Sequence, residues 1–146
     1  SEYLHKLCGV DYSPAPYFDM EEEYQLQQYI LKVARGKQIN SAHDVSEGGL
    51  FTTLLESCFQ NNLGFEVVTN PNIRKDAWPF GEGQSRVVVS VSHAQKNEFE
   101  AAIAGHPHKV IGEVKGHGNI VIDNENWGSI SDWKDKYDTA IEKLMA

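Results

Sequence analysis

Two adjacent glycines follow a cluster of polar side chains in the sequence SAHDVSEGGL at residues 41–50. The residues before the cluster resemble a short strand, and the apolar residues after it recur at helical spacing, so the cluster falls at a helix N-terminus. Unpaired N–H groups and the positive end of the helix dipole meet there, and glycines let a ligand approach the backbone. The pattern indicates a site for a phosphate or a carboxylate. Its candidate residues are His43, Asp44, Ser46, Gly48 and Gly49.

A purely structural interpretation of the same segment stays open. Asp44 or Ser46 could act as the helix N-cap, which contributes about 1 kcal/mol. Glu47 in the first turn would interact favourably with the helix dipole, but its negative charge would repel an incoming anion. His43 could be a structural histidine, and a glycine pair without a full phosphate-loop signature is a weak signal.

A second candidate segment lies at residues 81–86, where Glu82, Gln84 and Arg86 precede a run of valines in a glycine-containing loop. Such loops present donors and acceptors at the edge of a sheet. The alternative is structural, because an exposed salt bridge at a strand entrance contributes only ~0–1 kcal/mol. Glu82 and Arg86 are therefore the second set of candidate binding residues.

The sequence offers no pattern for a metal site or for nucleophilic catalysis. His106 and His108 flank a proline, and no Cys, Asp or Glu lies at ligand spacing around them. The acidic residues 21–23 are better explained as the first turn of a helix, where the helix dipole stabilises negative charge, than as a metal site. We therefore expect no catalytic residue and no metal ligand in this chain.

Composition narrows the class of protein. The 146 residues suit one domain, and 13 basic against 21 acidic residues give a net charge of −8, which argues against a nucleic-acid surface. No apolar stretch approaches the ~20 residues of a membrane span. The two cysteines make a disulfide framework improbable and favour a reducing compartment, so we expect a cytoplasmic protein.

The remaining elements alternate between helices and strands. An acidic first turn, helical spacing of Leu26, Tyr29, Ile30 and Val33, and Gly36 as a C-cap predict a helix over 19–35. The β-branched run at 86–91 predicts a buried strand. Further strands are predicted at 65–69, 108–114 and 119–123, and further helices after Gly49 and at 94–104 and 131–145. These elements predict an α+β fold.

Four segments in order carry a resemblance to a known family. They are AHDVSEGGL at 42–50, SEYL and SPAP within 1–16, FGEGQSRVVVSV at 80–91 and IGEV at 111–114. Together they resemble the C-terminal domain of the aminoimidazole ribonucleotide synthetase superfamily, and within it the second-half lobe of the phosphoribosylformylglycinamidine synthase family. The resemblance implies a layered α/β sandwich with a mixed, mainly antiparallel sheet.

Two departures from the family pattern limit what is carried over. Where the family commonly has Glu-Ser-Gln-Gly-Arg, this chain has Gly83 and Ser85 in exchanged places, so a role for a hydroxyl at position 83 is in doubt. The resemblance also implies that residues 1–146 form one AIR synthase-related C-terminal domain of a larger multidomain ligase, without its first strand or two. We expect the edge left open to favour self-association.

The resemblance implies an ATP-dependent amidine-forming ligase of purine biosynthesis. ATP activates the formyl amide oxygen of formylglycinamide ribonucleotide, and ammonia from a glutaminase domain or subunit displaces phosphate, which leaves ADP, phosphate and glutamate. ATP and Mg²⁺ would be bound mainly by domains absent from this chain, and the fragment alone would be inactive. The alternatives are a non-catalytic structural lobe of the same enzyme, or the same domain in another superfamily member such as a thiamine-monophosphate kinase.

Overall fold

The computed structural model describes residues 1–145, which form six strands and six α-helices. The strands are β1 (Ser41–Asp44), β2 (Gly64–Val67), β3 (Val87–Ser90), β4 (Gly112–Lys115), β5 (Asn119–Ile122) and β6 (Glu125–Ser129). The helices are α1 (Met20–Arg35), α2 (Gly49–Phe59), α3 (Ala77–Phe80), α4 (Lys96–Ala102), α5 (Ile130–Asp138) and α6 (Ala140–Met145). A π-helical turn spans Tyr3–Leu7, and a 3-10 turn spans His93–Gln95. Within these residues, no helix combines the length and the apolar character that a membrane crossing requires.

The chain divides into two compact units. The first contains residues 1–53 and 80–109, and the second contains residues 54–79 together with the chain from Val110 onward. The strands follow this division: β1 pairs with β3 in the first unit, and β2, β4, β5 and β6 form a four-stranded sheet in the second. The prediction that residues 1–146 are one domain remains a prediction.

In the first unit, α1 begins where the sequence predicts. The Asp19 carboxylate accepts hydrogen bonds from the N–H groups of Glu21 and Glu22 at 2.9 and 3.0 Å, which is an N-cap contact. The helix ends at Arg35, followed by Gly36 as the C-cap. Of its predicted apolar stripe only Val33 is fully buried, whereas the other three residues are half-buried. The helix is confirmed, but its apolar face is covered only in part.

In the second unit, the sheet order is β4-β2-β5-β6. The β2–β4 and β5–β6 pairs are antiparallel and the β2–β5 pair is parallel. Phe65 and Ile120, on the two parallel strands, are among the most completely buried side chains. Together with the antiparallel β1–β3 pair, this mixed arrangement confirms the α+β class and the predominance of antiparallel pairing.

Two predicted elements differ from the structure, and one observed strand was not predicted. The strand predicted over 108–114 begins only at Gly112, and β6 was not predicted because its sequence, ENWGS, is polar and mostly exposed. The helix predicted over 131–145 is interrupted at Thr139. The Thr139 hydroxyl donates to the Asp135 carbonyl at 2.7 Å, and such side-chain bonds compete with helix propagation.

Candidate functional site

Antiparallel pairing of β1 with β3 brings the two candidate segments together. Asp44 lies opposite Val87, and the Val45 N–H donates to the Arg86 carbonyl at 2.9 Å. The turn that follows β1 and the loop that precedes β3 therefore lie at the same end of the strand pair. The sequence identified both segments, and the register of this pair makes them neighbours.

The turn at 46–49 needs both of its glycines. Gly48 and Gly49 have φ angles of +79° and +70°, in the left-handed region that favours glycine. The Gly49 N–H donates to the Ser46 carbonyl at 3.0 Å, and α2 begins at Gly49. The predicted helix start is confirmed, and the predicted apolar face is buried at Leu50, Phe51, Leu54, Leu55 and Cys58.

Two threonines that the sequence analysis did not single out stabilise this turn. The Thr53 hydroxyl, on a residue only 2% exposed, lies 3.2 Å from the carbonyl oxygens of both Asp44 and Gly49. The Thr52 hydroxyl donates to the Gly48 carbonyl at 3.2 Å. A polar Thr53 within an apolar helical face was the available sequence signal, because a buried hydroxyl needs a hydrogen-bond partner.

The Glu82 carboxylate lies at the position that an anion was expected to take. Its Oε1 atom accepts a hydrogen bond from the Gly48 N–H at 3.1 Å and another from the Glu2 N–H at 3.1 Å. A carboxylate here accepts a hydrogen bond from an amide close to the N-terminus of α2, and its negative charge interacts favourably with the positive end of the helix dipole. In this structure the protein's own side chain therefore supplies the anion at Gly48.

The Arg86 guanidinium closes the loop to which it belongs. Its Nε donates to the Gly83 carbonyl at 3.1 Å, and its Nη2 donates to the Gly81 carbonyl. Burial lowers the pKa of Arg86, because desolvation penalises the charged form. Arg86 therefore shapes the 81–86 loop by binding backbone carbonyl groups.

His43 and Asp44 lie at the end of β1. The Nδ1 atom of His43 is 2.8 Å from the Asp44 carbonyl oxygen and 3.7 Å from Asp44 Oδ1. The Asp44 side chain is 76% exposed, and Ser46 is exposed as well. Because Asp44 belongs to β1 and does not directly precede α2, the suggestion that it caps this helix is wrong.

Ser85 connects the 81–86 loop to α1. Its φ angle is +57°, and its hydroxyl donates to Glu23 Oε2 at 2.7 Å. Hydrogen bonds from Gln27 and then from Ser85 lower the pKa of Glu23. The hydroxyl in this loop thus binds the acidic first turn of α1, and the residue that carries it is in the left-handed conformation.

The family described as "AIR synthase related protein, C-terminal domain" matches residues 9–124. The chain belongs to this family.

Relatives of this AIR synthase-related C-terminal domain include two named "Phosphoribosylformylglycinamidine synthase subunit PurL". The protein of Caldanaerobacter subterraneus subsp. tengcongensis is 36% identical over 125 residues, which are 84% of this chain and 17% of that protein. The protein of Alkaliphilus metalliredigens is 29% identical over 154 residues, 99% of this chain and 21% of that protein. The chain thus spans about a fifth of the length of these curated relatives.

Solved structures share the fold of the AIR synthase-related domain. A structure described as "T. maritima PurL complexed with FGAR" superposes with a TM-score of 0.72 at 18% identity, covering 89% of this chain and 24% of that one. One described as "T. maritima PurL complexed with ATP" gives 0.62 at 19% identity, covering 73% and 20%. These likenesses establish the fold and confirm the predicted layered α/β class.

The AIR synthase-related domain also has a groove that the sequence did not indicate. About 300 Å³ in volume, it lies in the first unit. Its lining includes Glu21, Glu22, Gln25, Leu26, Ser85, His106 and Pro107. None of the seven predicted binding residues is among these, so the groove and the glycine turn are separate features of the unit.

Mg²⁺ is the metal that the family resemblance implies. Across residues 1–145 no three His, Cys, Asp or Glu side chains converge to hold a metal ion. Around the glycine turn the exposed Asp44 carboxylate is available, whereas Glu82 accepts backbone N–H groups. Residues 1–145 therefore form no metal cage from three side chains, and Asp44 by itself would supply a single carboxylate ligand.

Proposed function

We propose that this chain is the C-terminal lobe of the second half of a phosphoribosylformylglycinamidine synthase. The parent enzyme would convert formylglycinamide ribonucleotide, ATP and glutamine to the amidine, ADP, phosphate and glutamate. The family match and the relatives that are similar to this chain in sequence support this proposal. Because the chain corresponds to about a fifth of those relatives, the reaction would belong to the parent enzyme and not to the chain alone.

Within that enzyme, the glycine turn would contact a phosphate-bearing ligand. The observation that carries this proposal is the β1–β3 pairing, which places the SEGG turn beside the GEGQSR loop. Ser46 would offer its hydroxyl and Gly48 its backbone amide, as helix N-termini do for phosphates. The Gly49 amide donates to the Ser46 carbonyl, so Gly49 would contribute by holding the turn and leaving room for the ligand. His43 and Asp44 would orient the turn. Glu82 and Arg86 would contribute to the same cleft.

The turn can make this contact only if the hydrogen bond from the Gly48 N–H to the Glu82 carboxylate breaks. The carboxylate and a phosphate are both anions and compete for the same N–H group. Arg86 favours an anion in this region through its charge, although its guanidinium binds the loop carbonyls at Gly81 and Gly83. The proposal therefore includes a rearrangement of the 81–86 loop when ligand binds.

ATP and Mg²⁺ would be bound mainly by other domains of the parent enzyme. ATP supplies the phosphoryl group that activates the amide oxygen, and this chain would contribute by closing the cleft around the bound ligands. A glutaminase domain or subunit would supply ammonia. We propose a cytoplasmic location for the enzyme, in line with the two free thiols of this chain, of which Cys8 is exposed and Cys58 is buried.

A structural role is the second candidate. The hydrogen bonds from Gly48 to Glu82 and from Arg86 to the loop carbonyls satisfy the polar groups of the turn within the chain. In that case the turn packs against neighbouring lobes, and the other half of the enzyme performs catalysis. Substitution of a solvent-exposed residue at the turn distinguishes the two candidates.

The test is Asp44→Ala in the full-length ligase, with Asp11→Ala as the control at an exposed aspartate in the N-terminal loop. Because surface changes usually alter stability by only about 0.5 kcal/mol, neither variant is expected to unfold. If Asp44 orients a ligand-binding turn, its variant loses roughly tenfold or more in kcat/KM, or 1.4 kcal/mol of transition-state stabilisation. Unchanged kinetics would support the structural role.

A second experiment addresses the isolated chain. We expect no ATP-dependent amidine formation by it, and turnover would overturn the assignment of the lobe. Titration with the substrate ribonucleotide, and separately with Mg-ADP, should shift the NMR signals of the Ser46–Gly49 amides if the phosphate contact belongs to this lobe. If neither ligand shifts these signals, the kinetics of Asp44→Ala in the full-length enzyme decide between the two roles.

A further inference from the structure

One oxygen atom joins two segments that are far apart in the sequence. Glu82 Oε1 accepts from the Gly48 N–H, 34 residues away, and from the Glu2 N–H, 80 residues away. The first amide belongs to the glycine turn, and the second directly precedes the π-helical turn at Tyr3–Leu7, which we call the N-terminal turn. A carboxylate can accept several hydrogen bonds, so both contacts form together.

Two aromatic contacts independently connect the N-terminal turn, the segment that contains Glu82 and the start of α2. The Tyr3 ring stacks on Phe80 with centroids 4.9 Å apart and an interplanar angle of 11°. Phe80 meets the edge of Phe51, in the first turn of α2, at 6.0 Å and 77°. Such ring pairs contribute beyond their buried area. The rings therefore connect the N-terminal turn, the start of the 80–86 segment and α2 in parallel with the Glu82 hydrogen bonds.

We propose that Glu82 is a positioning residue that couples the N-terminal turn to the glycine turn. Its carboxylate holds the Gly48 amide and the Glu2 amide at one point, and the Tyr3–Phe80 stack keeps the N-terminal turn against that point. Detachment of the N-terminal turn then loosens the glycine turn, and loss of the carboxylate loosens both.

The coupling has a consequence for the proposed ligand site. An anion that takes the Gly48 N–H displaces Glu82 and removes one contact of the N-terminal turn. This consequence rests on the proposed function, whereas the coupling itself does not. The coupling is therefore tested on the ligand-free chain, so that a failed phosphate titration and a failed coupling are separate results.

The test measures amide hydrogen exchange at Gly48 and the amide chemical shift of Glu2 by NMR. Glu82→Ala removes the acceptor and should speed exchange at Gly48 roughly tenfold while shifting the Glu2 signal. Glu82→Gln keeps an acceptor oxygen and should leave exchange within about threefold of the parent. Glu47→Gln is the matched control, because it removes the same charge from an exposed side chain in the glycine turn.

Tyr3→Leu decides whether the two segments are coupled. It removes the stack on Phe80 and leaves the sequence of the glycine turn unchanged, and we expect exchange at Gly48 to rise by roughly threefold or more. Unchanged exchange at Gly48 alongside a shifted Glu2 signal would overturn the proposal, as would unchanged exchange in Glu82→Ala. Signals from the β1–β3 pair, in the same unit, serve as the folding control. If Tyr3→Leu disturbs them, Tyr3→Met, which keeps an apolar side chain but has no ring, replaces it.

Discussion

Substitution of Gly48 by alanine tests the conformation of the glycine turn. The φ angle of +79° costs a residue with a Cβ atom about 1–2 kcal/mol. The added Cβ would lie 2.3 Å from Thr52 Oγ1, so the Thr52 side chain must rotate. Rotation breaks its hydrogen bond to the Gly48 carbonyl, a loss of about 0.5–1.5 kcal/mol.

Together these effects predict that Gly48→Ala lowers the free energy of unfolding by about 1.5–3.5 kcal/mol. For a chain of this size the melting temperature falls by roughly 3–14 °C. The assay is urea unfolding followed by circular dichroism. Gly116→Ala is the control, because its φ is not positive and an added Cβ meets no atom within 4 Å. We expect the control to be neutral or slightly stabilised.

A double variant tests the cause. In Gly48→Ala the Thr52 hydrogen bond is already lost, so adding Thr52→Ala should cost little more. The double variant is then more stable than the sum of the single effects predicts, by about 0.5–1.5 kcal/mol. Equal stabilities of Gly48→Ala and Gly116→Ala would refute the argument from backbone conformation. Strict additivity of the double variant would refute the argument from Thr52.

Three further outcomes follow from other parts of the chain. Gly112→Ala should abolish or severely weaken β2–β4 pairing, because an added Cβ would lie 1.9 Å from a backbone carbonyl oxygen of β2, and thermal unfolding would detect the loss. Hydrogen bonds from Thr69 lower the pKa of Asp123 in the folded protein. The stability that these bonds contribute is therefore fully present above the unfolded-state pKa of about 3.9, and it is lost as the pH falls through the lower pKa of the folded state. Thr69→Val should therefore reduce the acid dependence of stability below about pH 4 and raise the pKa of Asp123 measured by NMR. Burial raises the pKa of Cys58 whereas Cys8 is exposed, so iodoacetamide should modify Cys8 first, and equal rates detected by mass spectrometry would contradict this.

Local signals in the sequence were sufficient to locate α1, α2 and β3, but β3 is half-buried along its length, so the prediction of a buried strand is wrong. Asp19 satisfies the first amides of α1, the apolar residues of α2 recur at helical spacing, and β-branched residues fill β3. Each of these signals depends on side chains within one element. β6 was missed because its polar sequence has little strand propensity and its partner is supplied by β5 across the turn at Asp123 and Asn124.

In the candidate site, too, local features are predictable from the sequence whereas contacts between distant segments are not. The SEGG turn and the GEGQSR loop are predictable from residue types alone, because glycine conformation and helix periodicity are local properties. It could not determine that Glu82 accepts from the Gly48 amide or that Ser85 binds Glu23. Those contacts depend on the register of β1 with β3, in which a shift of one residue would turn every side chain to the opposite face. The anion beside the glycine turn is a side chain of the protein itself because strand pairing brings Glu82 to Gly48, and no local signal predicts that contact.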